Sequence, residues 1–117
     1  MPQRDAYHQP VIQALTKDGW TITHDPYILE FADERVFIDL GAERLLAAER
    51  AGARIAVEIK TFTSPSVIAD IEQALGQYLL YRAWMHAVDP LRQLYLAVSA
   101  EAADSVFIRP AIAFLVE

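Results

Sequence analysis

The 117-residue chain contains no cysteine, so neither a disulfide framework nor a thiolate zinc site can be built from it. This agrees with a reducing compartment, and a cytoplasmic location is expected. Glycine is scarce: Gly19, Gly41, Gly52 and Gly76 form neither a phosphate-cradling loop nor a dinucleotide fingerprint. Nucleotide-dependent chemistry of those kinds falls away. No apolar run approaches the roughly 20 residues that cross a bilayer, and Met1-Pro2-Gln3-Arg4-Asp5 lacks the apolar segment of a signal peptide. A soluble protein with no membrane association is expected. Positive charge is also short, with 10 Lys and Arg against 16 Asp and Glu and a net charge of -6. Broad adhesion to nucleic acid needs clustered bases, so any contact with DNA must be local or made through a partner. His8, His24 and His86 show no metal spacing of the H-E-x-x-H kind, and no serine sits in a nucleophile elbow. Covalent catalysis is not expected.

What the chain does have is a regular alternation of elements, with a length that fits a single domain over residues 1–117. Asp5 to Asp18 places apolar residues near a 3.6-residue period and meets Gly19 as a stop, which predicts a first helix. Trp20 to Thr23 alternates, and His24-Asp25-Pro26 turns. Tyr27–Phe31 and Val36–Leu40 read as two strands around Ala32-Asp33-Glu34. Leu45–Arg50 and Arg54–Thr61 flank a Gly52 connection, predicting a second hairpin with the later strand central. Ser64-Pro65-Ser66 opens a long helix that runs to about His86, and Asp89-Pro90 ends it. Gln93–Ser99 has strand length, and Glu101–Val116 reads as helical with a restart at Pro110. The sum is an α/β sandwich.

The most informative segment is Arg54-Ile55-Ala56-Val57-Glu58-Ile59-Lys60. Strand side chains alternate faces, so Glu58 and Lys60 share one surface with Ala56, while Ile55, Val57 and Ile59 take the other. A Glu and a Lys in a core strand cost several kcal/mol unless they are paired or hold an ion. Asp39 closes an upstream apolar run, and a hairpin can bring its carboxylate to the Glu58 end of the sheet. Two carboxylates plus waters suit Mg²⁺, and Lys60 beside them can orient a water and stabilise a phosphorane-like transition state. Read from the strand alone, an exposed edge-strand ion pair explains Glu58-x-Lys60 as well as a buried site does.

Asp39, Glu58-Ile59-Lys60 and Gln77-x-x-x-Tyr81 together resemble the PD-(D/E)XK nuclease superfamily, whose restriction-endonuclease-like core runs α-β-β-β-α-β. More narrowly, Asp18-Gly19-Trp20-Thr21-Ile22-Thr23-His24-Asp25-Pro26, the string from Ile38 to Glu49, and Ala74-Leu75-Gly76-Gln77-Tyr78 resemble the XisH family of fdxN element excision controlling factors, from Asp5 to about Pro110. The resemblance implies a mixed, mainly antiparallel sheet flanked by helices. It implies control of the excision of a DNA element, beside a recombinase and a small companion protein, XisI. From the superfamily, Asp39 and Glu58 would hold the metal with the Ile59 carbonyl, and Lys60 would be the catalytic lysine. Gln77 and Tyr81, one helical turn apart, would contribute to the site or contact DNA, with Gln73 and Trp84 in the same stripe. A first-helix His8, or Asp5, would complete the metal site.

Such relatives continue past the last helix into a further strand, so an edge of the sheet is expected to be missing or supplied by a partner. A homo-oligomer is left open. The acidity requires either a localised basic groove, using Lys17, Arg44, Arg50, Arg54, Lys60 and Arg82, or a partner that supplies one. Two functions follow: an excision controlling factor with a Mg²⁺-dependent endonuclease site, or a non-catalytic regulatory subunit that binds a XisI-type partner.

Overall fold

The computed structural model of the chain describes residues 6–44, 52–62, 65–99 and 104. The first helix, α1 (His8–Lys17), sets Val11, Ile12 and Leu15 on one side and stops where Gly19 turns to φ 90, a conformation that costs glycine nothing. Strand β1 (Thr21–His24) follows. Strands β2 (Tyr27–Phe31) and β3 (Glu34–Ile38) pair antiparallel from Tyr27↔Ile38 to Phe31↔Glu34. They form a ribbon of their own, separate from the main sheet.

That sheet holds β1, then β4 (Leu40–Arg44), β5 (Ala53–Lys60) and β6 (Arg92–Val98), in the order β1-β4-β5-β6. The β1–β4 and β4–β5 pairs are antiparallel, and β5–β6 is parallel. Parallel neighbours need a long crossover, and helix α2 (Val67–Val88) provides it. Its first turn is capped by Ser66, whose hydroxyl oxygen accepts from the Ala69 amide at 3.2 Å, an arrangement worth about 1 kcal/mol. No helix among the described residues is long and apolar enough to cross a membrane.

Two expectations change. The run Val36–Leu40 is not one strand: β3 ends at Ile38, Asp39 is the joint, and Leu40 begins β4 in the other sheet. The partner of β5 within the described residues is Leu40–Arg44; the strand expected over Leu45–Arg50 and, except for Asp104, the helix expected over Glu101–Val116 lie outside them.

Strict alternation along β5 divides the core. Ile55, Val57 and Ile59 join Leu40 and Ala42 under α1, packed by Val11, Ile12, Leu15 and Trp20. Ala56 faces α2 with Tyr27, Leu29, Ile38, Met85 and Leu94. Each large aliphatic buried in this way contributes roughly 1.5–3 kcal/mol.

Gly41 is held by space. A Cβ there would lie 2.9 Å from His24 Nδ1, 3.0 Å from His24 Cβ and 3.1 Å from Tyr27 Cδ2. His24 is tied to Thr23 by a 2.9 Å side-chain hydrogen bond, and its ring meets Tyr27 edge-on at 5.1 Å. The neighbours therefore have little freedom to retreat. Gly41→Ala is expected to cost about 1–3 kcal/mol in denaturant unfolding, as overpacking does, and His24→Ala in the same chain to recover part of it.

Candidate functional site

Two carboxylates meet where β3 gives way to β4. The Asp39 amide donates to Glu58 Oε1 at 3.2 Å, and the Ile59 amide donates to Asp39 Oδ2 at 2.8 Å. Each acid thus grips the backbone beside the other. The arrangement exists because the chain leaves the main sheet upstream of Leu40: the last β4–β5 pair is Leu40↔Val57, so the Ile59 amide has no strand partner on that side and takes a carboxylate instead. The carbonyl of a strand residue faces the same edge as its amide, so the Ile59 carbonyl opens toward Asp39 as well.

Lys60 and Glu58 lie on the α2 face, as alternation predicts. Lys60 Nζ stands 3.8 Å from Glu58 Oε2 and donates to Gln77 Oε1 on α2. The Glu58 and Lys60 side chains are only 10% and 20% exposed, which removes the reading of an ordinary solvated edge-strand pair. One turn beyond Gln77, Tyr81 is half-buried and packs against the α2-side core. Trp84 joins that core and stacks on Phe31 at 6.3 Å, whereas Gln73 is exposed.

The electrostatics follow from this crowding of acids in a buried place. Burial pushes the Glu58 carboxyl up to about 8, helped by its hydrogen bond to Asp39 and the Asp39 charge; Lys60 offsets only part of this. Burial also raises the Tyr81 phenol, and the charges of Glu58 and Asp39 raise it further. A Glu58 carboxyl held protonated by burial beside a second acid is one that an oxygen-liganded divalent cation would draw into its charged form.

Without a metal, the folded chain holds the Glu58 proton more tightly than the unfolded chain, whose carboxyl has its ordinary value of 4.5. That stability contribution is complete below 4.5 and is lost as pH rises through about 8. Chemical unfolding in chelator between about pH 5 and 9 is expected to show a loss of roughly 4 kcal/mol, and Glu58→Gln to flatten the slope. Divalent metal, which needs the ionised acids, is expected to restore stability at the high-pH end.

His8 is committed elsewhere. His8 is buried, and its Nε2 pairs with Asp25 Oδ1 at 2.9 Å. Asp5 lies outside the described residues, and no group of three or more His, Cys, Asp or Glu side chains among them is arranged to hold a metal. Among the described residues, the oxygen donors gathered here are Asp39, Glu58 and the Ile59 carbonyl, and a set this small would suit Mg²⁺, which retains several waters.

A second polar cluster escaped the sequence reading. Arg92 is buried, with Nε 2.9 Å from Asp89 Oδ2, Nη1 donating to the Ile55 carbonyl at 2.8 Å, and its guanidinium 4.7 Å from the Tyr27 ring centre. The Tyr27 hydroxyl donates to the same Asp89 oxygen at 3.3 Å. The only local signal was Asp89-x-x-Arg92; Tyr27 is 62 residues from Asp89.

Comparison with known proteins places this architecture. The XisH protein family matches residues 1–117. A crystal structure of an XisH family protein from Nostoc punctiforme PCC 73102 is 36% identical, with 95% of this chain and 82% of that one covered and a TM-score of 0.83. A fdxN element excision controlling factor protein from Anabaena variabilis, also solved as a crystal structure, is 36% identical over 96% of this chain and 82% of that one, with a TM-score of 0.82. No curated protein matches. With the family pattern spanning every residue and both solved relatives sharing the fold across nearly the whole chain, this protein belongs to the XisH family.

Proposed function

We propose that the chain is a DNA-element excision controlling factor that carries a Mg²⁺-dependent phosphodiesterase site of the PD-(D/E)XK type. The observation that supports this is the reciprocal grip of Asp39 and Glu58 with Lys60 beside them. In this reading Asp39, Glu58 and the Ile59 carbonyl hold the metal. Bound there, Mg²⁺ supplies Lewis-acid neutralisation of the phosphodiester and acidifies a water. The protein's own groups do the rest. Gln77 and Glu58 fix the Lys60 ammonium, which orients the attacking water and faces the charge that grows on the phosphorus oxygens. Tyr81, whose phenol stays protonated, is a hydrogen-bond donor at the rim. His8 has no part in this scheme, because its ring is committed to Asp25.

The test is incubation of the protein, alone and with a XisI-type companion, on branched, single-stranded and duplex DNA with Mg²⁺ or Mn²⁺. Metal-dependent cleavage that chelator stops supports the site. No cleavage of any substrate, together with no stabilisation by either metal, overturns it.

The net charge of -6 favours a second reading: a regulatory subunit that binds a XisI-type partner and uses the old catalytic face as scaffold. Intact companion binding without cleavage in the same experiment supports that alternative.

A further inference from the structure

The ribbon of β2 and β3 has two unlike faces. Tyr27, Leu29 and Ile38 point inward and are buried, Val36 packs against that cluster, and Phe31 stacks on Trp84 of α2. The outer face carries the other parity: Ile28 and Glu30 on β2, Arg35 and Phe37 on β3. Pairing sets them directly opposite one another, as Ile28↔Phe37 and Glu30↔Arg35. Ile28 and Phe37 are each 48% exposed. Beside them Arg35 Nη2 meets Glu30 Oε1 at 3.0 Å, with both side chains more than half exposed. Two large apolar side chains in contact across strands and open to water make a surface that a partner would cover.

We infer that a second copy of this chain docks on this face, about a two-fold axis running along the ribbon. Such a rotation lays β2 of one protomer over β3 of its partner with no shift along the strands. Ile28 then meets the partner's Phe37, and Glu30 meets the partner's Arg35, each twice over. The four charges alternate in sign round a square, so the face is complementary to itself. An axis across the strands would instead set Ile28 on the partner's Glu30, an apolar group on a charge. Only the first arrangement matches both rows.

Charge also selects this face against other places and other partners. Two chains of net charge -6 repel each other, but here one Glu and one Arg cancel. Nucleic acid is a poor occupant, because Glu30, Asp33 and Glu34 outnumber the single Arg35 on this ribbon. Strands of five residues offer less than the roughly 1,200 Å² of a standard interface, so the association is weak and reversible. The rotation leaves both Asp39 joints at the same end of the paired ribbons. The inference holds whether or not that site takes a metal.

The experiment follows the amide signals of the isotope-labelled full chain by NMR as unlabelled chain is added, from about 0.02 to 1 mM, a range that reports a weak dimer. Shifts centred on Ile28 and Phe37 that grow with concentration are expected. Glu30→Arg and Arg35→Glu, taken singly, each set like charges face to face and are expected to weaken self-association at least about tenfold. The double variant, Glu30→Arg with Arg35→Glu, restores both the internal and the facing pairs, so it is expected to associate with itself as wild type does and to ignore added wild-type chain. All four positions are exposed, so these changes disturb no packing, and the spectra check that the fold is intact. A monomer at the highest concentration leaves the face to some other protein and overturns the inference. So do shifts centred elsewhere, single variants that associate like wild type, or a double variant that binds wild type as tightly as itself.

Discussion

Lys60→Ala is expected to lower any metal-dependent DNA cleavage by about 10²–10³-fold in kcat, the usual cost of losing one preorganised charge at a phosphoryl transition state. The ammonium is held from two sides, by Gln77 and by Glu58, so its position is set before a substrate arrives. Its removal has a second effect. Lys60 does more than the Asp39 amide to lower the Glu58 pKa against burial and the Asp39 carboxylate, so without it Glu58 will hold its proton to still higher pH. Metal binding then weakens at neutral pH, because the metal must displace that proton. The two effects separate under saturating Mn²⁺ at high pH: the metal deficit closes and the kcat deficit stays. Equal rates in wild type and Lys60→Ala on every cleaved substrate would remove Lys60 from the chemistry.

The largest loss of stability is expected from Arg92→Ala, about 3–5 kcal/mol in denaturant unfolding. Its side chain is 4% exposed and serves Asp89, the Ile55 carbonyl and the face of Tyr27 at once. Truncation would leave the Asp89 carboxylate half-buried with only the Tyr27 hydroxyl, and the β5 carbonyl without its guanidinium donor. Burial already pushes the Tyr27 phenol up while Arg92 opposes the rise, so a higher Tyr27 titration in the variant is a second readout. A loss under 1 kcal/mol would mean that the cluster contributes little beyond filling space.

The legible parts of this fold were those encoded by neighbours in the chain. Ser66 announced the start of α2 because a hydroxyl cap acts within three residues. The alternation of β5 assigned Glu58 and Lys60 to one face because pleating leaves no choice. The meeting of Asp39 with Glu58 could be read only as far as a hairpin permitted it. What stayed hidden depends on distant pairs. Nothing in Val36–Leu40 marks Asp39 as the place where the chain leaves one sheet for another, since no glycine or proline interrupts the run. The Asp25 partner of His8 lies 17 residues away, and the Ile55 carbonyl bound by Arg92 lies 37 away. Such contacts are fixed by packing, and no local periodicity reports them.

Two peptide hydrogens, those of Asp39 and Ile59, have carboxylate oxygens as their acceptors. They therefore act as resident reporters. Whatever neutralises or recruits those acids must alter the shielding and solvent exchange of the same two protons, so occupancy can be followed on an unlabelled, unmutated chain by watching a pair of backbone resonances. Since Asp39 is also the joint between ribbon and sheet, that signal carries news of how firmly the two halves are fastened.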